Sequence, residues 1–430
     1  MEGGMMCNLA LFGGPKTLTH AFAPYRSIGR EEADAALAVV ETGILSKFLG
    51  CWNPDFYGGE RVQAFERAWE SYFSVHHAVT VNSATSGLIA AVGAVGVEPG
   101  DEVIVSPWTM SASATAILVW NGIPVFADIE NETYNLDPVA IEKSITPYTR
   151  AIMVTDIFGH PAALDEIVAI AKKHDLKVIE DCAQAPGALY KGRYAGTIAD
   201  IGVFSLNYHK HIHTGEGGVC VTNAATMAER LQLIRNHAEA VVDDKGVRDL
   251  SNMIGFNFRM TEIEAAIGLE QLKKLKTLTL GRIEVADRLT RGLGGLKGLR
   301  TPIVKKDCTH VYYSYPLLYS SEETGVKRDQ IFKALVAEGV PIGDRYTNIH
   351  LLPIYQKKMA YGTKGFPWSA EFYKGQVSYE KGICPVAETL QDSRHLGIAM
   401  CIYAYTDEDV DLIVEAFHKV WTHLDLLGNS

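Results

Sequence analysis

Lys210 stands in the middle of residues 207–218, Asn-Tyr-His-Lys-His-Ile-His-Thr-Gly-Glu-Gly-Gly. The stretch follows an apolar, β-like run at 201–206 and ends in a glycine-rich turn, which puts the amine at a strand end where it can reach into a cleft. An amine so placed can hold a carbonyl compound covalently. Two other groups suit the same chemistry. Asp181 ends the apolar run Lys177-Val-Ile-Glu-Asp181 and can keep a ring nitrogen protonated. Residues 83–87, Ser-Ala-Thr-Ser-Gly, follow a strand-like run at 77–81 and open a helix of small residues. Small side chains let backbone amides approach an anion, and a helix N-terminus favours its charge. An amine for an aldehyde, a carboxylate for a pyridine nitrogen and donors for a phosphate are what pyridoxal phosphate asks of a protein.

Plainer readings stand beside these. Most lysines are solvated cations, and an aspartate at a strand end commonly binds a backbone amide. His209, His211 and His213 would share one face of a strand and so imitate a metal site. No Asp, Glu or Cys joins them at ligand spacing, and no metal is expected.

The elements that must position these groups alternate short apolar runs with helical patterns, which predicts a parallel sheet covered by helices on both faces. Strands are expected at about 77–81, 102–105, 124–127, 151–155, 177–181, 199–206 and 218–222. Helices are expected between them, at about 87–95, 113–121, 138–144, 164–173 and 225–237. Residues 1–30 read as an irregular arm, 31–42 as a helix, and 44–60, rich in Gly and aromatics, as a loop over a pocket or interface. A strong amphipathic helix over 261–275, capped by Thr261, ends this part. From 281 onward a polar helix, a strand-like 311–319, a helix over 328–338 and a last helix over 407–426 predict a smaller α+β domain. The expected organisation is therefore an arm (1–30), a large α/β domain (31–280) and a small domain (281–430).

A net charge of -11 argues against nucleic acid or an anionic membrane as partner. Seven cysteines, an odd number with no C-x-x-C spacing, point to reduced thiols and a cytoplasmic protein. Neither a signal peptide nor a membrane span is expected from the sequence.

Five stretches, in order, carry a resemblance to a known family: Val81-Asn-Ser-Ala-Thr-Ser-Gly-Leu88, Pro99-Gly-Asp-Glu-Val-Ile-Val105, Ile179-Glu-Asp-Cys-Ala-Gln-Ala185, Phe204-Ser-Leu206 with Lys210 and Thr214-Gly-Glu-Gly-Gly218, and Gly255-Phe-Asn-Phe-Arg-Met260. Together they resemble the DegT/DnrJ/StrS sugar aminotransferases, whose fold type I architecture is a large, mostly parallel sheet domain with a smaller C-terminal α+β domain. The resemblance implies that Lys210 carries the pyridoxal phosphate, with pyridoxamine phosphate formed between two half-reactions. One branch of the family has histidine in place of the lysine; counting back from Gly215 puts Lys210 at the site and favours transamination. By the same carry-over Asp181 meets the ring nitrogen, Gln184 the phenolic oxygen, and Ala84, Thr85, Ser86 and Ser205 the phosphate. Met110 falls where relatives usually stack an aromatic ring on the cofactor, so either its thioether covers the ring or Trp108 does so in another register. His160 is implied near the ring edge, and Tyr346 and His350 in a substrate-facing loop. Asn257 is implied to reach the phosphate of the neighbouring subunit, which makes a homodimer with shared sites. Glutamate or glutamine is the expected donor and a keto-sugar, nucleotide-linked, the expected acceptor. The opening Leu9-Ala-Leu-Phe-Gly-Gly-Pro15 resembles scyllo-inosose aminotransferases and keeps a ketocyclitol acceptor open, and a non-catalytic binding protein on the same fold is the alternative of another class.

Overall fold

The computed structural model describes residues 8–428, and residues 1–7 and 429–430, with Cys7, lie outside the described residues. A seven-stranded sheet runs in spatial order His77–Val81, Gly218–Thr222, Ile201–Ser205, Lys177–Asp181, Thr149–Thr155, Glu102–Val105, Ile123–Phe126. Its strands are apolar on both faces because helices cover both, and all five residues of Ile201–Ser205 are buried. Six of the seven strands point the same way, five of them as directly paired parallel neighbours. Gly218–Thr222 instead runs antiparallel to both neighbours. The sequence pattern predicts a parallel strand there; the chain reverses through residues 206–217 with no crossover helix, and without one it cannot return in the parallel sense.

The register brings the chemistry to one edge of the sheet. Asp181 pairs with Val203 and Thr155, so the C-terminal ends of three parallel strands lie side by side. Ser205 ends the strand that leads to Lys210.

The two helices expected at 261–275 and 281–293 are one, Glu262–Leu293. Thr261 caps it: its hydroxyl accepts from the Glu264 amide, and the Glu264 carboxylate accepts from the Thr261 amide. Gly281 costs such a helix about 1 kcal/mol but does not break it. Leu272 and Leu275 belong to the core beneath the sheet, whereas Ala286, Leu289 and Leu293 belong to a second core. The expected boundary at residue 281 thus falls inside a continuous helix.

The second core packs around a four-stranded antiparallel sheet in the order Leu299–Arg300, Ser314–Tyr319, His395–Ala399, Ile342–Gly343. His395–Ala399 is not apparent in the sequence pattern, and the helix expected over 407–426 ends at Trp421 and is followed by a separate short helix, Leu424–Gly428. The C-terminal part is not wholly separate. Ile349, Tyr355, Tyr379, Cys384 and Leu390 are buried in the core of the large sheet. The Tyr379 hydroxyl donates to the Pro124 carbonyl at 2.7 Å, and the Tyr355 ring meets Phe126 at 5.2 Å, so this segment covers the edge strand Ile123–Phe126. Residues 44–60 form a surface loop in which Phe48 and Phe56 are buried while Ile44, Leu45 and Leu49 are exposed. Among the described residues no helix is long and apolar enough to cross a membrane, and none of the six described cysteines is paired.

One buried carboxylate gathers the first part of the arm. Glu338 accepts from the amides of Ala10 (2.8 Å) and Thr17 (3.0 Å), from the Thr17 hydroxyl (2.9 Å) and from Lys419 Nζ (2.8 Å). Burial alone would raise its pKa, but Lys419 and these donors outweigh that and hold it below the ordinary value. A lowered folded pKa stabilises at pH above the unfolded carboxyl value and is lost as pH falls through the folded one. Glu338→Ala should therefore lower stability by about 2 kcal/mol at neutral pH, with the gap from wild type closing in acid, as thermal unfolding at several pH values will show.

Candidate active site

Off the strand ends lies a cleft of about 190 Å³ lined by Ser83, Thr85, Met110, Asp181, Gln184, Ser205 and Lys210, among others. The loop that presents Lys210 is built by its own backbone. The Lys210 amide donates to the Asn207 carbonyl (2.9 Å), the Thr214 amide to Leu206 (3.0 Å) and the Leu206 amide to Gly217 (2.9 Å). The loop is therefore not a strand, and its histidines do not share a face. His211 is buried with Nε2 at 2.9 Å from the Val311 carbonyl, His209 lines the cleft, and the His213 amide donates to Gln271. Among the described residues the one buried Asp/Glu/Cys cluster of ligand-like geometry is Asp156, Glu180 and Cys182, beneath the cleft.

Lys210 is only 8% exposed. Burial pushes its pKa down, and the carboxylate of Asp181 pulls the other way. Its Nζ makes no hydrogen bond among the described residues and lies 4.3 Å from the centre of the Tyr313 ring. Asp181 is also withdrawn from water. Burial raises its pKa against the Ser113 hydroxyl (2.9 Å to Oδ2), the Ala183 amide (3.1 Å to Oδ1) and the charge of Lys210. A desolvated carboxylate of this kind favours a cationic N–H partner. Gln184 is fixed at both ends: its Oε1 accepts from the Phe158 amide at 2.7 Å, and its Nε2 donates to the Tyr346 hydroxyl at 2.9 Å.

The candidate anion cradle lies where helix Ala84–Ala94 begins. Ser83 caps it by accepting from the Ser86 amide at 3.1 Å, which leaves the amides of Ala84 and Thr85, unused within the helix, at the cleft. The Ser86 hydroxyl sits 2.9 Å from Ser83 Oγ, so Ser86 serves the cap and does not line the cleft. Ser205 does line it, from the adjacent strand end.

Four expected residues lie elsewhere. Trp108 is fully buried, 6.0 Å from the Tyr346 ring and parallel to it within 13°, so it cannot cover a ring in the cleft. Met110 remains on the cleft wall, 58% exposed. His160 is buried outside the cleft, its Nδ1 at 2.7 Å from the Pro161 carbonyl and its Nε2 accepting from the Lys305 amide; burial lowers its pKa to about 4. His350 is likewise buried, with Nε2 at 2.9 Å from Glu388, and packs near Phe126. Both ring nitrogens of His160 and the Nε2 of His350 are bonded in the interior, which corrects the expectation that these side chains face ring or substrate; the Nδ1 of His350 is buried without a partner. Asn257 is exposed and outside the cleft of its own chain.

Sequence reasoning missed the surroundings. A second cavity of about 520 Å³ opens beside the cleft, walled by Tyr25, Phe158, Tyr313, Arg345, Tyr346 and His395 among others. Its residues come from the arm, the loop before Ser314–Tyr319 and the second sheet, and no local motif joins them. Ser113, which holds Asp181, was equally hidden as one small residue in a helix of small residues.

A family model matches most of the chain, and many known proteins resemble it. The model described as the DegT/DnrJ/EryC1/StrS aminotransferase family matches residues 52–414. GDP-perosamine synthase from Caulobacter vibrioides is 37% identical over 69% of this chain and 79% of its own. The L-glutamine:2-deoxy-scyllo-inosose aminotransferase of Streptoalloteichus tenebrarius is 33% identical over 82% of this chain and 84% of its own. The crystal structure of DesI in the presence of its TDP-sugar product superposes with a TM-score of 0.78 and 26% identity, covering 98% of each chain.

Close packing behind the cradle gives a test. A Cβ on Gly218 would come within 2.8 Å of Ala84 N and of the Ser83 carbonyl carbon. Gly218→Ala should lower stability by about 1–3 kcal/mol and weaken uptake of pyridoxal phosphate, measured by thermal unfolding and by spectrophotometric titration.

Proposed function

Because the chain belongs to the DegT/DnrJ/EryC1/StrS aminotransferase family, we propose that it moves an amino group from glutamate or glutamine to the keto group of a nucleotide-linked sugar, using pyridoxal phosphate. The observation that carries this reading is that a buried amine and a buried carboxylate, Lys210 and Asp181, line one cleft with a helix N-terminus whose first amides are free. The fit is chemical. Asp181 has two neutral donors and suits a protonated ring nitrogen, while Lys210, its pKa lowered, suits a carbonyl carbon.

When bound, pyridoxal phosphate supplies an electron sink that lets the donor's Cα–H bond break. Lys210 Nζ would take the proton from that carbon and pass it on, a role that its lowered pKa suits. Asp181 would hold the proton on the ring nitrogen, Gln184 would donate to the phenolic oxygen, and the amides of Ala84 and Thr85 with the hydroxyls of Thr85 and Ser205 would hold the phosphate. Met110, on the cleft wall, would be the side chain left to lie against the ring.

A ketocyclitol acceptor is the second reading. It is favoured by the alignment, which runs over more of this chain with the scyllo-inosose enzyme than with the perosamine synthase. Membership of an aminotransferase family weighs against a non-catalytic binding protein. The acceptor is identified by loading the protein with pyridoxamine phosphate and asking which keto-sugar nucleotide or inosose restores the aldehyde spectrum; if none does while a donor 2-oxo acid does, the sugar reading falls.

Lys210→Ala should lose turnover by roughly 10²–10⁴-fold and retain no cofactor attached after borohydride reduction, read by peptide mass spectrometry. An attachment at another lysine would displace Lys210 from its role.

We further propose a two-fold dimer with shared sites. Asn257 is exposed, its loop lies against the cradle through the Asn82 amide and Phe258 carbonyl (2.8 Å), and exposed Leu250 and Ile254 nearby offer apolar surface for a second copy. Mixing Lys210→Ala subunits with an impaired Asn257→Ala variant should restore up to half the sites in each heterodimer, measured as recovered turnover. No recovery in verified heterodimers would leave Asn257 outside the neighbour's site.

A further inference from the structure

One residue, His209, lines both the cleft of Lys210 and the larger cavity beside it. We propose that its imidazole, together with the hydroxyl of Tyr313, recognises the hydroxyl group on the carbon next to the acceptor's carbonyl and so sets the preference among ketones. The inference deepens the aminotransferase reading and rests on it.

Position fixes which part of the acceptor these groups can reach. His209 adjoins Lys210 in the chain, and the Tyr313 ring lies 4.3 Å from Lys210 Nζ. The two rings are 6.1 Å apart, between centres. A carbonyl carbon presented to Lys210 therefore has its neighbouring carbons beside His209 and Tyr313, with the rest of the molecule in the outer cavity. Nearby histidines each bond the protein through one ring nitrogen and are buried away from the cleft: His211 through Nε2 to the Val311 carbonyl, with its Nδ1 left unpartnered, and His310 through Nδ1, which accepts from the Tyr312 amide. His209 makes no side-chain hydrogen bond among the described residues, and neither does the Tyr313 hydroxyl.

Charge fixes what they read. Burial, then the amine of Lys210, lowers the pKa of His209, while Glu216 opposes them. Burial raises that of Tyr313. Both tips are thus neutral at neutral pH, and each can donate and accept. That pairing suits a hydroxyl, whereas an anion at this point would want a fixed cation. The one permanent cation lining the outer cavity is Arg345.

The test uses the holoenzyme converted to its pyridoxamine form with L-glutamine or L-glutamate. Stopped-flow return of the aldehyde absorbance is followed with scyllo-inosose and a nucleotide-linked 4-keto-6-deoxyhexose, each against its analogue lacking the hydroxyls that flank the carbonyl. The wild type should prefer the hydroxy ketone that it uses by roughly 10- to 100-fold. His209→Ala and Tyr313→Phe should shrink that preference to about threefold or less, through slower reaction of the hydroxy ketone, and His209→Asn should restore part of it. The ¹⁵N shifts of the His209 imidazole, assigned by difference with His209→Asn, should move on adding the hydroxy ketone and not its deoxy analogue, which a purely structural histidine would not do. The inference is overturned if no hydroxy ketone reacts, if the wild type shows no preference, or if the variants keep it. Failure of the aminotransferase reading shows separately, as no spectral conversion by either amino acid before a ketone is added.

Discussion

Two opposite charges withdrawn from water in one cleft set the terms for the rest of the molecule. Asp181 and Lys210 each lie in surroundings that disfavour their ionised forms, and each is only partly compensated by the other. The carboxylate is steadied by Ser113 and Ala183, the amine by the face of Tyr313. A bound group that offers a cationic nitrogen to one and a carbonyl to the other relieves both. Holding these side chains unrelieved requires stiff supports, and they have them: the end of a central strand for Asp181, and a loop cross-linked by its own amides for Lys210.

That loop also explains the one reversed strand. By turning the chain back without a crossover helix, residues 206–217 bring Gly218 against the first turn of the helix at Ala84. Reaction loop and anion cradle are thereby neighbours through a single glycine, and the spacing between the groups they present is set by backbone packing and not by flexible side chains.

Much of this was legible in the sequence because it is local. Strands 77–81, 102–105, 177–181 and 218–222 have the expected limits, since short apolar runs bounded by turns leave little choice of register. Lys210, Asp181, Ser205 and Gln184 follow strand ends or lie next to them, and strand ends converge in a parallel sheet. What escaped is what depends on distant contacts. His160 and His350 sit in motif-like surroundings yet are held in the interior by Lys305 and Glu388, partners that nothing in either stretch announces. The break expected at Gly281 reflected a real change of core, but a helix can pass from one core to another without ending. The short strands at 299–300 and 342–343 are too brief to show any period.

The segment over 349–390 carries a consequence for the order in which the chain can become stable. Its tyrosines cap the last strand of the large sheet, although they are made more than two hundred residues after it. A nascent chain, or a fragment cut within the long helix, would hold that strand with one side bare and its apolar partners missing, an open template for pairing with another molecule. The large sheet is therefore not an independent folding unit: its completion waits for the far end of the protein, and expression of the N-terminal part alone would meet aggregation before it met function.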